Sequence, residues 1–277
     1  MLVNLIPEFL STLSAADRSA AYHEYLDRHR PILGAYWQNY VLDPESPHAE
    51  PIIENALRAD RSDLKRLLED VDVVAIAEDG LRRATEILEA DCPVDLYLMV
   101  GVGAANAGEL VVGGRGVAFV CLEHFTGRAN AQTYSMGLGP QLLPLWIAHE
   151  VAHTLRYTSP SSRAALRRLV DELGGYYDGW ELGSRATLRE LVVFLRRAAA
   201  NDLDSSGLGL RLRYLSGGTS PAARLVAGKV LPERSGYYLG WRLVENYLGE
   251  HGAASTVRAA VEELRQADDR ASGIQTA

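Results

Sequence analysis

Residues 140–157 read Pro140-Gln-Leu-Leu-Pro-Leu-Trp-Ile-Ala-His149-Glu150-Val-Ala-His153-Thr-Leu-Arg-Tyr157. Leu142, Leu143, Leu145, Trp146, Ile147, Ala148, Val151, Ala152 and Leu155 make this run apolar nearly all round, which predicts a buried helix over 140–157. Within it, His149-Glu150-Val-Ala-His153 is an H-E-x-x-H motif. Four residues advance a helix by about 6 Å and nearly one full turn, so the two imidazoles share a face and can converge on one cation. Zinc takes imidazole nitrogen at about 2.0–2.1 Å and, in catalytic sites, keeps one position open for water. Glu150 would stand beside such an ion, where it can take a proton. Two histidines and an acid on a buried helix are costly without a partner, and a metal supplies one. An accidental match would instead leave these groups on a solvated face.

A third ligand has to come from elsewhere in the chain. His153 is followed by Thr-Leu-Arg-Tyr-Thr-Ser-Pro-Ser161, so the H-x-x-G-x-x-H continuation is absent. Eighteen residues separate His153 from Glu172, which lies in Leu169-Val-Asp-Glu-Leu-Gly-Gly-Tyr-Tyr177. A turn at Ser159-Pro160-Ser161 and a returning helix over 162–177 would bring Glu172 back over the histidines. Two histidines, a glutamate and water form a catalytic zinc set. The competing reading makes Glu172 a solvated helix residue. The small Gly174-Gly175 pair and its apolar neighbours favour burial.

Upstream of the motif the hydrophobic period changes. Asp95–Val100 reads as a buried strand and is followed by a Gly/Ala/Asn-rich turn over 101–108. Glu109–Val112 and Val117–Leu122 flank the turn Gly113-Gly-Arg-Gly116, which completes a small sheet over 94–123. Neither glycine cluster is a phosphate loop, because no Gly-Lys-Ser/Thr follows. The first ninety residues read as helical. Ser14-Ala-Ala-Asp17 resembles a capping box opening a helix to about His29, and Pro31 interrupts before an aromatic-rich segment over 32–41. Asp43-Pro-Glu-Ser-Pro47 is a loop, and helical spacing returns over 52–59, 62–68 and 74–90. Downstream, helices are predicted over 162–177, 185–200, 234–251 and 253–267, with an irregular stretch over 202–218 and a frayed tail after 271. The fold class is α+β, mostly helical: a helical region over 1–92, then a catalytic region over 93–277. The two regions can equally form one unit.

Composition narrows the classes of function. With 28 Lys+Arg against 36 Asp+Glu, the net charge of −8 opposes a dedicated nucleic-acid binder, whose affinity rests on neutralising phosphates. The two cysteines, Cys92 and Cys121, are too few for a disulfide framework or a thiolate zinc site. No apolar run is long enough to span a membrane, and the apolar start lacks the basic flank of a signal peptide. A soluble, cytoplasmic protein is the expectation.

The HEVAH motif followed by Glu172 resembles the gluzincin clan of zinc metallopeptidases. More narrowly, the chain is similar to the DUF2268 group of zinc-dependent proteases, through Glu172-Leu-Gly-Gly175 and Gly236-Tyr-Tyr-Leu-Gly240 in that order. The resemblance covers about residues 95–250. It departs at Leu173, where the group has glycine, and in lacking an acid four residues after Glu172. It implies a zincin-like fold, Zn2+ held by His149, His153 and Glu172, and Glu150 as general base. Tyr237 and Tyr238 are the candidate oxyanion donors, with core aromatics as the competing reading, and His124 is an alternative donor. The resemblance also implies an edge strand that lies along the cleft and pairs with extended substrate, for which Val117–Leu122 is the candidate. No G-A-M-E-N signature is present, so aminopeptidase activity is not implied. The expected partner is a peptide or small amide. A zincin scaffold acting on a small biosynthetic molecule and a non-catalytic metal protein are the competing functions. His23, His29, His48 and His251 have no spacing partner and read as surface or structural residues.

Overall fold

Five consecutive apolar residues, Val117-Ala-Phe-Val-Cys121, are buried on both faces of one strand and organise the sheet around it. The computed structural model describes residues 1–133, 135–158, 235–260, 263, 264, 266 and 267. The four-stranded sheet comprises β1 (Leu2–Asn4), β2 (Val94–Met99), β3 (Ala107–Val112) and β4 (Arg115–Cys121), in the spatial order β1-β2-β4-β3. β1 and β4 both run parallel to β2, with Leu2 opposite Leu96 and Leu96 opposite Ala118. β3 returns antiparallel to β4, with Glu109 opposite Ala118. Gly113 and Gly114 join these two strands at φ +57° and +78°, the double left-handed geometry of a two-residue hairpin turn.

Two expectations are corrected by this topology. The segment 117–122 is not an edge: β4 lies between β2 and β3, and among the described residues the edges of the sheet are β1 and β3. The physical reason lies in its own composition, since a strand apolar on both faces needs cover on both. The first ninety residues are not all helical either. Residues 2–4 form β1, which is too short to carry a period and is held by a partner strand more than ninety residues away.

The remaining elements of the first ninety residues are helices. They are α1 (Ile6–Thr12), α2 (Arg18–Arg28), α3 (Arg30–Tyr36), a π-helical turn Trp37–Val41, α4 (Ala49–Arg58), α5 (Ser62–Asp70) and α6 (Val73–Ile87). Asp17, not Ser14, caps α2 by accepting the Ala20 N–H at 3.0 Å, and Asp72 caps α6 in the same way through Ala75. Pro31 sits in the first turn of α3, where its missing N–H costs nothing. Phe9, Tyr22, Tyr25, Leu33, Tyr36 and Trp37 bury their rings and chains in the core of this layer.

Beyond β4 come a 3-10 turn (Leu122–Phe125), a small hairpin of β5 (Ala129–Asn130) and β6 (Ser135–Met136), and α7 (Leu143–Thr158). The chain divides into two compact units, Met1–Pro160 and Ser161–Ala277. In the second, α8 (Ser235–Arg258) is broken at Gly252, whose φ of 76° only glycine adopts readily. The segments 162–177, 185–200 and 202–218 and the tail after 271 lie outside the described residues. No described helix is long and apolar enough to cross a membrane.

Candidate metal centre

Three stripes divide the surface of α7. Leu143, Ile147, Val151 and Leu155, spaced four apart, are fully buried. This stripe meets α6 at a close crossing, where a Cβ on Gly80 would lie 3.2 Å from the Pro144 backbone. The second stripe, Glu150, Thr154 and Thr158, is polar yet buried. Thr154 Oγ1 donates to the Glu150 carbonyl and Thr158 Oγ1 to the Thr154 carbonyl, each at 2.7 Å, so the hydroxyls are satisfied within the helix. Gly116 of β4 opens the space these threonines fill: a Cβ there would fall 2.5 Å from Thr154 Cγ2.

Trp146, His149 and His153 form the third stripe, which is only partly buried. The helix is therefore less enclosed than its composition implies, and Leu145 is 67% exposed. The Nε2 atoms of His149 and His153 approach to 3.0 Å. Two nitrogens held at about 2.0–2.1 Å in a tetrahedral set stand roughly 3.3 Å apart, so the pair fits a shared cation with little adjustment. The same ring edges meeting without an ion would need one nitrogen to carry a proton and the other to accept it. Glu150 is 4% exposed, and its Oε1 lies 4.0 Å from His149 Nε2, beside the imidazole pair. Trp146 packs at 5.9 Å from the His149 ring and at 6.3 Å from Phe125, walling one side of the site.

The other expected site residues fall as follows. Glu172 lies outside the described residues, and among the described residues no group of three or more His, Cys, Asp or Glu side chains is placed to hold a metal ion. Tyr237 and Tyr238 belong to the first turn of α8, in the second unit. His124 is 3% exposed, with both ring nitrogens lacking a hydrogen-bond partner among the described residues. Burial, reinforced by repulsion from Arg61, pushes its pKa down to about 4. Such a ring is neutral at pH 7. His23 and His29 pair with Glu50 and Glu8 at 3.0 Å, and His251 lies 3.6 Å from Glu250, all as structural contacts.

One polar cluster has no signature in the sequence. Glu123, in the 3-10 turn that follows β4, is 3% exposed and accepts the Gly101 N–H at 2.8 Å, while its second oxygen has no partner among the described residues. Burial lifts its pKa to about 7 against the pull of Arg61. Arg61 is itself 5% exposed and donates to the Ala56 carbonyl at 3.0 Å. Its charge is detectable in the sequence but its burial is not, because the contacts that enclose it come from distant segments.

Comparison with family models, with curated proteins and with solved structures returned no match for this chain.

Proposed function

We propose that the chain is a zinc-dependent hydrolase of the metallopeptidase type, of the gluzincin pattern and related to the DUF2268 proteases. The observation that carries this reading is the convergence of the two imidazoles to 3.0 Å, next to a buried glutamate on the same helix turn. His149 and His153 would hold the ion, with Glu172 as the proposed third ligand. When bound, zinc polarises a carbonyl and lowers the pKa of water toward 7.

The chain's own residues perform the rest. Glu150, on the buried polar stripe of α7, takes a proton from the attacking water at its carboxylate and returns it to the leaving nitrogen as the C–N bond breaks. Burial keeps bulk water from competing for that proton. Trp146 packs against the His149 ring from one side and is itself backed by Phe125. Tyr237 or Tyr238 is the proposed donor to the oxyanion.

The test separates ion binding from chemistry. Glu150→Gln keeps one equivalent of zinc and loses about 10²–10⁴-fold in turnover of a quenched-fluorescent peptide library. Wild-type turnover in that variant contradicts the role of Glu150. A protein that holds zinc but cleaves neither peptides nor simple acyl amides contradicts the hydrolase reading itself.

A further inference from the structure

Among the described residues β3 is an edge strand, and alternation fixes which of its backbone groups face outward. Glu109 is opposite Ala118, and the Glu109 N–H and C=O turn away from β4, toward the position an added strand would take. That position is occupied. The Tyr40 hydroxyl donates to the Glu109 carbonyl at 3.0 Å and accepts the Glu109 N–H at 3.1 Å. One phenol thus makes the two-bond ring that a residue of a pairing strand makes. The Glu109 carboxylate, at 3.5 Å from the same oxygen, is the weaker acceptor.

The phenol is built into place. Tyr40 comes from the π-helical turn Trp37–Val41, stacks on Tyr36 with centroids 5.9 Å apart, and meets the edge of Phe119 at 5.0 Å. Gly108 leaves the space, because a Cβ there would collide with the Tyr40 hydroxyl and the Phe119 ring. π-helical turns occur often at functional sites, where they re-aim a side chain.

Register places this plug level with the histidine pair. Gly116 abuts Thr154 and Thr158, and α7 runs antiparallel to β4, since Phe125 after β4 meets Trp146 near the start of α7. Ala118 lies two residues beyond Gly116, about 6.6 Å along the strand, which equals roughly four residues of helix. Glu109, opposite Ala118, therefore lies level with Glu150–Thr154, the turn that carries His153.

We propose that Tyr40 is a specificity-determining residue: a built-in competitor that occupies the β3 edge at Glu109 and must leave before an extended peptide backbone can pair there. Compact acyl amides do not need that edge and are indifferent to it. The substrate part of this proposal rests on the hydrolase reading; the plug does not.

Tyr40→Phe keeps the ring packing and removes both hydrogen bonds, and Gly108→Ala displaces the phenol by a separate route. In the zinc-loaded full chain, amide exchange at Glu109 should rise about tenfold or more in both variants, as the N–H loses its acceptor. For a quenched-fluorescent octapeptide with valine at alternate positions, Tyr40→Phe should lower KM about five- to tenfold, the worth of one net hydrogen bond. The kcat for that peptide, and both constants for a dipeptide anilide, should stay at wild-type values. A Glu109 amide that exchanges equally fast in wild type and both variants overturns the plug. An unchanged octapeptide KM overturns its role in selecting substrate. Absence of turnover of both substrates, with the exchange difference present, contradicts the hydrolase reading and leaves the plug standing.

Discussion

Glu123 and His124 are adjacent, buried and shifted in opposite senses, and their combined effect on stability differs from either alone. The Glu123 pKa rises from 4.5 to about 7 in the fold, so between those values the folded state holds the proton more tightly than the unfolded chain. Its contribution to stability is therefore greatest below pH 4.5 and falls as pH rises toward 7. The His124 pKa falls from 6.5 to about 4, so its contribution is present above 6.5 and is lost as pH drops toward 4. Across the overlap, folding moves a proton from the imidazole to the carboxyl with no net uptake. Wild-type stability should be nearly flat between pH 4.5 and 6.5 as far as this pair is concerned. Glu123→Gln should lose stability as pH falls from 6.5, and His124→Asn should lose it as pH rises from 4.5, each by up to about 1.4 kcal/mol per pH unit. Urea unfolding at a series of pH values measures these slopes. A wild-type slope matching either variant contradicts the compensation.

At the scale of elements, the packing of α7 on the sheet depends on positions where side chains are missing. Gly116 receives Thr154 and Thr158, and a methyl group there meets Thr154 Cγ2 at 2.5 Å and Thr158 Oγ1 at 2.8 Å. Gly116→Ala should destabilise the protein by about 1–3 kcal/mol through overpacking. Thr154→Ala in the same chain should recover part of that loss, a coupling read from a double-mutant cycle of thermal unfolding. Strictly additive losses would show that the helix shifts away instead.

The elements also show what was legible in the sequence. The α7 helix could be read because its motif and its apolar run lie within one segment, and the β3–β4 hairpin because its Gly-Gly turn is local. The rank of β4 within the sheet could not, since edge and centre are decided by partners from residues 94–99 and 107–112. β1 escaped because three residues carry no period. The candidate site was legible in part: helical spacing puts His149 and His153 on one face of α7, with Glu150 beside them. Tyr40 reaches Glu109 across sixty-nine positions, and the charge of Arg61 acts on Glu123 only through the fold, so no local pattern marks either pair.

For the whole molecule, an ion that binds the folded chain and not the unfolded one adds stability by mass action. At free zinc a thousandfold above its dissociation constant the gain is about 4 kcal/mol. Chelation of the wild type should lower Tm accordingly, whereas His149→Ala and His153→Ala should show the lower Tm with or without zinc. Equal chelator sensitivity in those variants would place the stabilising ion elsewhere. The excess of acid over base in this chain, 36 against 28 residues, makes weak cation binding at the surface an expected background, so location decides more than affinity does.

The most direct measurement is therefore anomalous diffraction at the zinc edge from crystals of the zinc-loaded full chain. A single strong peak is expected about 2.0–2.1 Å from the Nε2 atoms of both His149 and His153. A peak elsewhere, or none beside the two imidazoles under saturating zinc, would contradict it.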